Sequence, residues 1–197
     1  MIPIASIVEG DGEVAALPIL LRRLAAELEP MTMVNPLPPI RVRRDRFLNK
    51  EDEFRRQLLL AAAKSGEQGW ILIVLDADDD CPKALASDIS QRAQQTIPHR
   101  KVSVVLANRE FEAWFIAAAA SLNGARGFSV SPNELIEAET PRNAKGWMRE
   151  HMHGGKYSEM LDQPAFASRF DLQQAQHNSR SFRKLCKEWH THVARQT

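Results

Sequence analysis

The chain has 197 residues, 44% of them hydrophobic, which suits one domain, or one domain with a small appendage, around a proper core. Its 26 Lys+Arg against 25 Asp+Glu leave a formal charge of +1, so no global basic field draws it onto nucleic acid, and a charged partner must be met by local clusters. No stretch approaches the roughly 18 apolar residues of a membrane span. The opening MIPIASIVEG lacks the basic start of a signal peptide, and Cys81 and Cys186 form no CxxC pair. A cytoplasmic, reduced protein with no membrane partner is expected.

Pro3 to Val8 is rich in β-branched residues and stops at a Gly/acid cluster, which predicts a strand. Helical spacing of Val14, Leu17, Leu20, Leu21, Leu24 and Leu28 predicts a helix over 13–28, with Pro18 near its start. Pro30 to Pro39 reads as a loop and Ile40 to Val42 as a short edge strand, after which Asn49 is expected to cap a helix running to Lys64. Trp70 to Leu75 (WILIVL) is an unbroken apolar run, the pattern of a strand buried on both faces of a parallel sheet. A helix opens at Pro82 and extends to Ile97, Val102 to Leu106 forms another buried strand, and Asn108 begins a helix through Phe111, Trp114, Phe115 and Ala118. This alternation predicts an α/β fold with a mainly parallel sheet of about four strands over residues 1–124. Residues 125–197 carry no strand signal. Helices over 131–138, 144–152 and 180–194 are expected there, as an extension packed on the core.

Ligands of a parallel sheet bind beyond the carboxyl ends of its strands, and three acidic clusters fall at such ends. Glu9-Gly10-Asp11-Gly12-Glu13 follows the first strand, Asp76-Ala77-Asp78-Asp79-Asp80 the central one, and Glu110 and Glu112 the last. Asp76 and Asp78 share a side while the chain stays extended. Glu110 and Glu112 lie about 200° apart on a helix, so at most one of them faces the site. Two carboxylates about 4 Å apart repel by roughly 4 kcal/mol at an effective dielectric near 20. Raised pKa values relieve part of this, and a divalent cation relieves more. Oxygen-only ligands favour Mg²⁺ or Mn²⁺ over zinc and suit phosphoryl transfer or phosphodiester hydrolysis. Each cluster also has a plainer reading. Asp79 and Asp80, just before Pro82, are placed to cap a helix, and Glu13 is a favourable acid in a first turn.

Other chemistries lack their residues. Gly10 and Gly12 make neither GxGxxG nor GxxxxGK[ST], and no GxSxG elbow occurs. DADDD follows a later strand than a haloacid-dehalogenase-like phosphatase needs, and no lysine follows Leu106 as in a receiver domain. His151 and His153 have no third metal ligand nearby in sequence.

The order EGxxE, DxD and a final acid resembles the TOPRIM domain shared by topoisomerases, DnaG-type primases and OLD-family nucleases. The fragments VEGDGEVAALPILLRRL, VLDADDDCP, NREFEAWFIAAAASLNG, AKGW, YSEMLDQPAF and SRSFRKL are similar to one TOPRIM-like family, domain of unknown function 4276, over nearly the whole chain. The resemblance implies a TOPRIM/Rossmann-like core. It implies Glu9 as metal ligand or general acid/base, Asp76 and Asp78 as metal ligands with Asp80 beside them, and Glu13 and Glu112 as further candidate catalytic acids. Glu110 is second to Glu112. In nuclease-type members a lysine completes a two-metal site, and Lys156 and Lys184 are the candidates. The implied activity is Mg²⁺- or Mn²⁺-dependent cleavage of nucleic acid. Relatives of nuclease type work with an ABC-like ATPase in anti-phage defence, and with no Walker motif here such an ATPase is another chain. The alternative is a non-catalytic subunit that regulates an ATPase partner; a homo-oligomer is left open.

Arg41, Arg43, Arg44 and Arg46 lead a stretch, Ile40 to Gln57, with seven basic and four acidic residues. Arg180, Arg183, Lys184 and Lys187 form a second basic cluster. Either suits a phosphate backbone, and either also suits a solvated helix face. Asp162-Gln163 is read as a cap and hydrogen-bond donor organising the extension.

Overall fold

A computed structural model describes residues 1–131, 134 and 136–194. The chain forms an α/β fold in which β1 (Ile2–Val8), β2 (Val34–Pro36), β3 (Ile40–Arg41), β4 (Trp70–Asp76) and β5 (Lys101–Ala107) make one sheet. The strand order is β2-β1-β4-β5, with β3 beside the carboxyl end of β1, and every pairing is parallel. Around it lie α1 (Asp11–Leu28), α2 (Arg44–Asn49), α3 (Glu51–Ser65), α4 (Pro82–Thr96), α5 (Ala113–Ala117), α6 (Ala144–Glu150), α7 (Glu159–Ala167), α8 (Leu172–Asn178) and α9 (Arg180–His192). No described helix is long and apolar enough to cross a membrane.

Strand alternation sends side chains to two cores. Ile4, Val8, Trp70, Leu72, Val74, Val105 and Ala107 pack with α1 and the C-terminal helices in a cluster that runs on to Val193. Ala5, Ile7, Ile71, Ile73, Leu75, Val104 and Leu106 pack with α2, α3 and α4 on the other face. All seven residues of β4 are buried, as a central parallel strand requires.

Several local expectations change. The proline-rich loop contains β2, a three-residue strand at the edge where proline is tolerated. The helix expected to run from Asn49 to Lys64 is α3, but Asn49 ends α2, a short helix not expected from the sequence, and Lys50 takes the N-cap position of α3. Residues 108–112 are a turn, with Arg109 at a φ of 69°, and α5 starts only at Ala113. The helix expected over 131–138 falls partly outside the described residues, and Glu134 and residues 136–138 are not helical. Two further helices, α7, interrupted in sequence by Pro164, and the short polar α8, also went unforeseen.

Candidate active site

The parallel sheet brings the ends of β1, β4 and β5 to one rim, and carboxylates arrive there from each. Glu9 and Gly10 link β1 to α1. Glu13, in the first turn of α1, is buried and accepts the Glu9 N–H on Oε2 at 3.1 Å. Asp76, the last residue of β4, is buried and accepts the Phe111 N–H on Oδ1 at 2.8 Å. Glu112 is fully buried; its Oε1 accepts the Tyr157 hydroxyl at 2.9 Å and Gln163 Nε2 at 2.7 Å.

Lys145, in the first turn of α6, was not among the candidate lysines, yet it faces this cluster. Its Nζ lies 3.4 Å from Glu159 Oε2 and 3.9 Å from Glu110 Oε1, and its N–H donates to Glu110 Oε2 at 2.9 Å. Glu110 and Glu112 therefore both turn toward the same region, because a turn rather than a helix carries them. The sequence held one signal for Lys145, its place in the fragment AKGW. Lys156 is exposed, and Lys184 pairs with Glu188 at 2.5 Å on α9, beside β5.

Packing of α7 on α1 completes the site. A Cβ on Gly12 would stand 2.6 Å from the Glu159 carbonyl oxygen, so only glycine lets α7 approach closely enough to deliver Gln163. Asp162 holds α7 in place by accepting the Ser158 N–H at 2.7 Å and pairing with Arg126. The expected organising role of Asp162-Gln163 is thus met, with Gln163 also touching a site carboxylate.

Electrostatics follow from burial. Burial raises the pKa of Glu9, and the charge of Asp78 raises it further. Burial pushes Glu13 up to about 8, against the lowering effect of the Glu9 and Gly10 N–H groups. Asp76 stands well above the usual carboxylate range through burial, then through the charges of Glu13 and Glu112. Glu112 is also raised by burial, although Lys145 and its own hydrogen bonds oppose this. For Lys145, burial disfavours the ammonium, but Glu112, Asp76, Glu159 and Glu110 outweigh it and hold the pKa above its ordinary value.

The outer rim is tied to arginine. Asp78 leaves the strand direction at a φ of 49°, so the expected shared side with Asp76 ends where β4 ends. Arg44 pairs with Asp80 at 2.5 Å and Asp78 at 3.6 Å and donates to the Asp76 carbonyl at 3.1 Å. Asp79 pairs with Arg109 at 2.6 Å, and neither Asp79 nor Asp80 caps α4, whose N-cap Cys81 makes no side-chain cap. Arg41 pairs with Asp11 at 2.9 Å, while Arg43 and Arg46 are exposed.

Among the described residues, no three His, Cys, Asp or Glu side chains form a ready-made metal cage. The donor chemistry nevertheless fits a hard cation. All the candidate ligands are carboxylate oxygens, and Glu9 Oε2 and Glu112 Oε2 are buried atoms with no hydrogen-bond partner among the described residues. Mg²⁺ takes only one or two protein carboxylates and leaves its other positions to water and phosphate.

Fold and site together define an α/β protein with a buried carboxylate–lysine cluster at the carboxyl ends of a parallel sheet. Over residues 8–189 the chain matches the family described as Domain of unknown function (DUF4276), and it belongs to that family. No curated protein and no solved structure matches it.

Proposed function

We propose that this protein is a TOPRIM-type phosphodiesterase that cleaves nucleic acid with Mg²⁺ or Mn²⁺, serving anti-phage defence beside a separately encoded ABC-like ATPase. The observation that carries this reading is the convergence of buried Glu13, Asp76 and Glu112 with half-buried Glu9 beside Lys145. Glu9 and Asp76 would hold the ion, with Asp78 and Asp80 reaching it if Arg44 lets go. When bound, the cation supplies a water of lowered pKa and neutralises charge on the phosphate. Glu13 and Glu112, held up in pKa by burial, exchange protons with water or leaving group. Lys145 places a fixed positive charge where a phosphate oxygen gains negative charge. Arg41, Arg43, Arg44 and Arg46 lie at or near the same rim and suit the flanking backbone.

The alternative reading, a regulatory subunit that cuts nothing, is favoured by one observation: Arg44 and Arg109 already neutralise Asp78, Asp79 and Asp80. Purified protein is tested on plasmid and single-stranded substrate with Mg²⁺ or Mn²⁺, alongside Mn²⁺ titration by calorimetry. Cutting is expected, abolished by Glu9→Ala, Asp76→Ala and Lys145→Ala, with Mn²⁺ binding weakened in Asp78→Asn. Cutting that survives Asp76→Ala at equal purity overturns the enzyme assignment. Absence of cutting and of Mn²⁺ binding, with co-purification of an ATPase, establishes the alternative.

A further inference from the structure

On the far edge of the sheet, β5 pairs among the described residues with β4 alone. A groove of about 770 Å³ runs along that edge between α4 and α9, and none of its lining residues belongs to the carboxylate–lysine cluster. The direction of the main chain in β5 follows from one bond: the Ala107 carbonyl accepts from Ala77 N, so Ala107 faces β4. N–H and C=O of one strand residue point the same way and alternate along the strand. Those of Val102, Val104 and Leu106 therefore point outward into the groove, whose lining includes all three. Val104 and Leu106 are only 4% exposed, so these polar groups lie at a groove floor rather than on open surface. Main-chain groups placed so are satisfied best by another extended backbone.

Charge selects the occupant. Glu139 in the wall is held by the neutral donors of Ser179, Ser181 and Asn108 and keeps its charge, and Glu188 is held by Ser103 and Lys184, so Lys83, Arg180 and Lys184 outnumber these two carboxylates along the groove. Lys83 on α4 and Arg180 on α9 are exposed and form no ion pair among the described residues. A second copy of this chain would bring the same unmatched cations against these, whereas an acidic strand would meet them with opposite charge. We infer that the β5 edge is a docking groove for an extended acidic segment of a partner protein, which adds to the sheet as a further strand. Main-chain bonds to Val102, Val104 and Leu106 give the affinity, and Lys83 and Arg180 set the preference for acidic sequence.

The test uses the full chain and a fluorescent alternating glutamate–valine hexapeptide, followed by anisotropy. Saturable binding is expected, about tenfold or more tighter than for the lysine–valine counterpart, and weakened about tenfold or more by Lys83→Glu with Arg180→Glu. N-methylation of alternate probe residues should abolish binding in one phase and spare it in the other, which leaves the protein unaltered. Amide exchange at Val102, Val104 and Leu106 should slow when the probe binds. No saturation up to roughly 1 mM overturns the inference, as does binding with no added protection at those three amides. Displacement by a single-stranded oligonucleotide overturns it in favour of nucleic acid, and self-association through β5 in favour of a second copy.

Discussion

The carboxylate of Asp76 and the main-chain N–H of Phe111 are joined by a 2.8 Å hydrogen bond, both groups buried. The end of the central strand thereby fixes the turn that carries Glu110 and Glu112. Asp76→Ala leaves a buried donor unsatisfied and should cost about 1–3 kcal/mol. Asp76→Asn keeps an acceptor oxygen and should stay closer to wild type. Urea denaturation of the pair checks this independently of any activity.

Gly12 stands where α1 and α7 touch. Gly12→Ala forces a methyl group against the Glu159 carbonyl and should destabilise by about 1–3 kcal/mol. Gln163 should be displaced with α7, so the variant should also lose the hydrogen bond to Glu112. A thermal melt reads the first effect, and exchange of the Gln163 side-chain amide protons, measured by NMR, reads the second.

Lys145→Met removes the ammonium from beside Glu110, Glu159 and the buried Glu112 and Asp76. Since Lys145 is 28% exposed, a loss of about 2–4 kcal/mol at neutral pH is expected, below the cost for a fully buried pair. If a divalent cation binds here, Mn²⁺ at 100 times its Kd should add about 2.7 kcal/mol to wild-type stability. Denaturation with and without Mn²⁺ measures both effects.

Glu188 provides the pH dependence. Its hydrogen bond with His192, then those with Lys184 and Ser103, hold its pKa down to about 2. The folded value lies below the ordinary one, so the stabilisation is full above the ordinary pKa and disappears as pH falls through about 2. With the carboxylate partly in water, it is worth about 1–2 kcal/mol at pH 7. The stability gap between wild type and Glu188→Gln should be widest at neutral pH and close on acidification, as urea titrations at several pH values will show.

The parallel sheet was legible because β1, β4 and β5 are written as apolar runs, each with acids at its end or within three residues of it. Periodicity carried the long helices for the same reason. Short elements held mainly by tertiary contacts were not legible. β2 has three residues and a proline, and α7 contains Pro164. Of the site, Glu9, Glu13, Asp76 and Glu112 could be named because each follows a strand. Lys145 and Tyr157 were not, since apart from their places in the fragments AKGW and YSEMLDQPAF they read as surface residues until residues 144–167 fold back over the rim. The spacing argument for Asp78 failed because it assumed extended backbone two residues beyond the end of β4.

The cluster takes its first carboxylate from the start of the chain and its lysine, tyrosine and glutamine from the last third. A nascent polypeptide still lacking α6 and α7 holds acids without the cation that offsets them. Whatever chemistry the rim performs is thus switched on late in synthesis, and a chain cut short before α6 should be both poorly folded and inert.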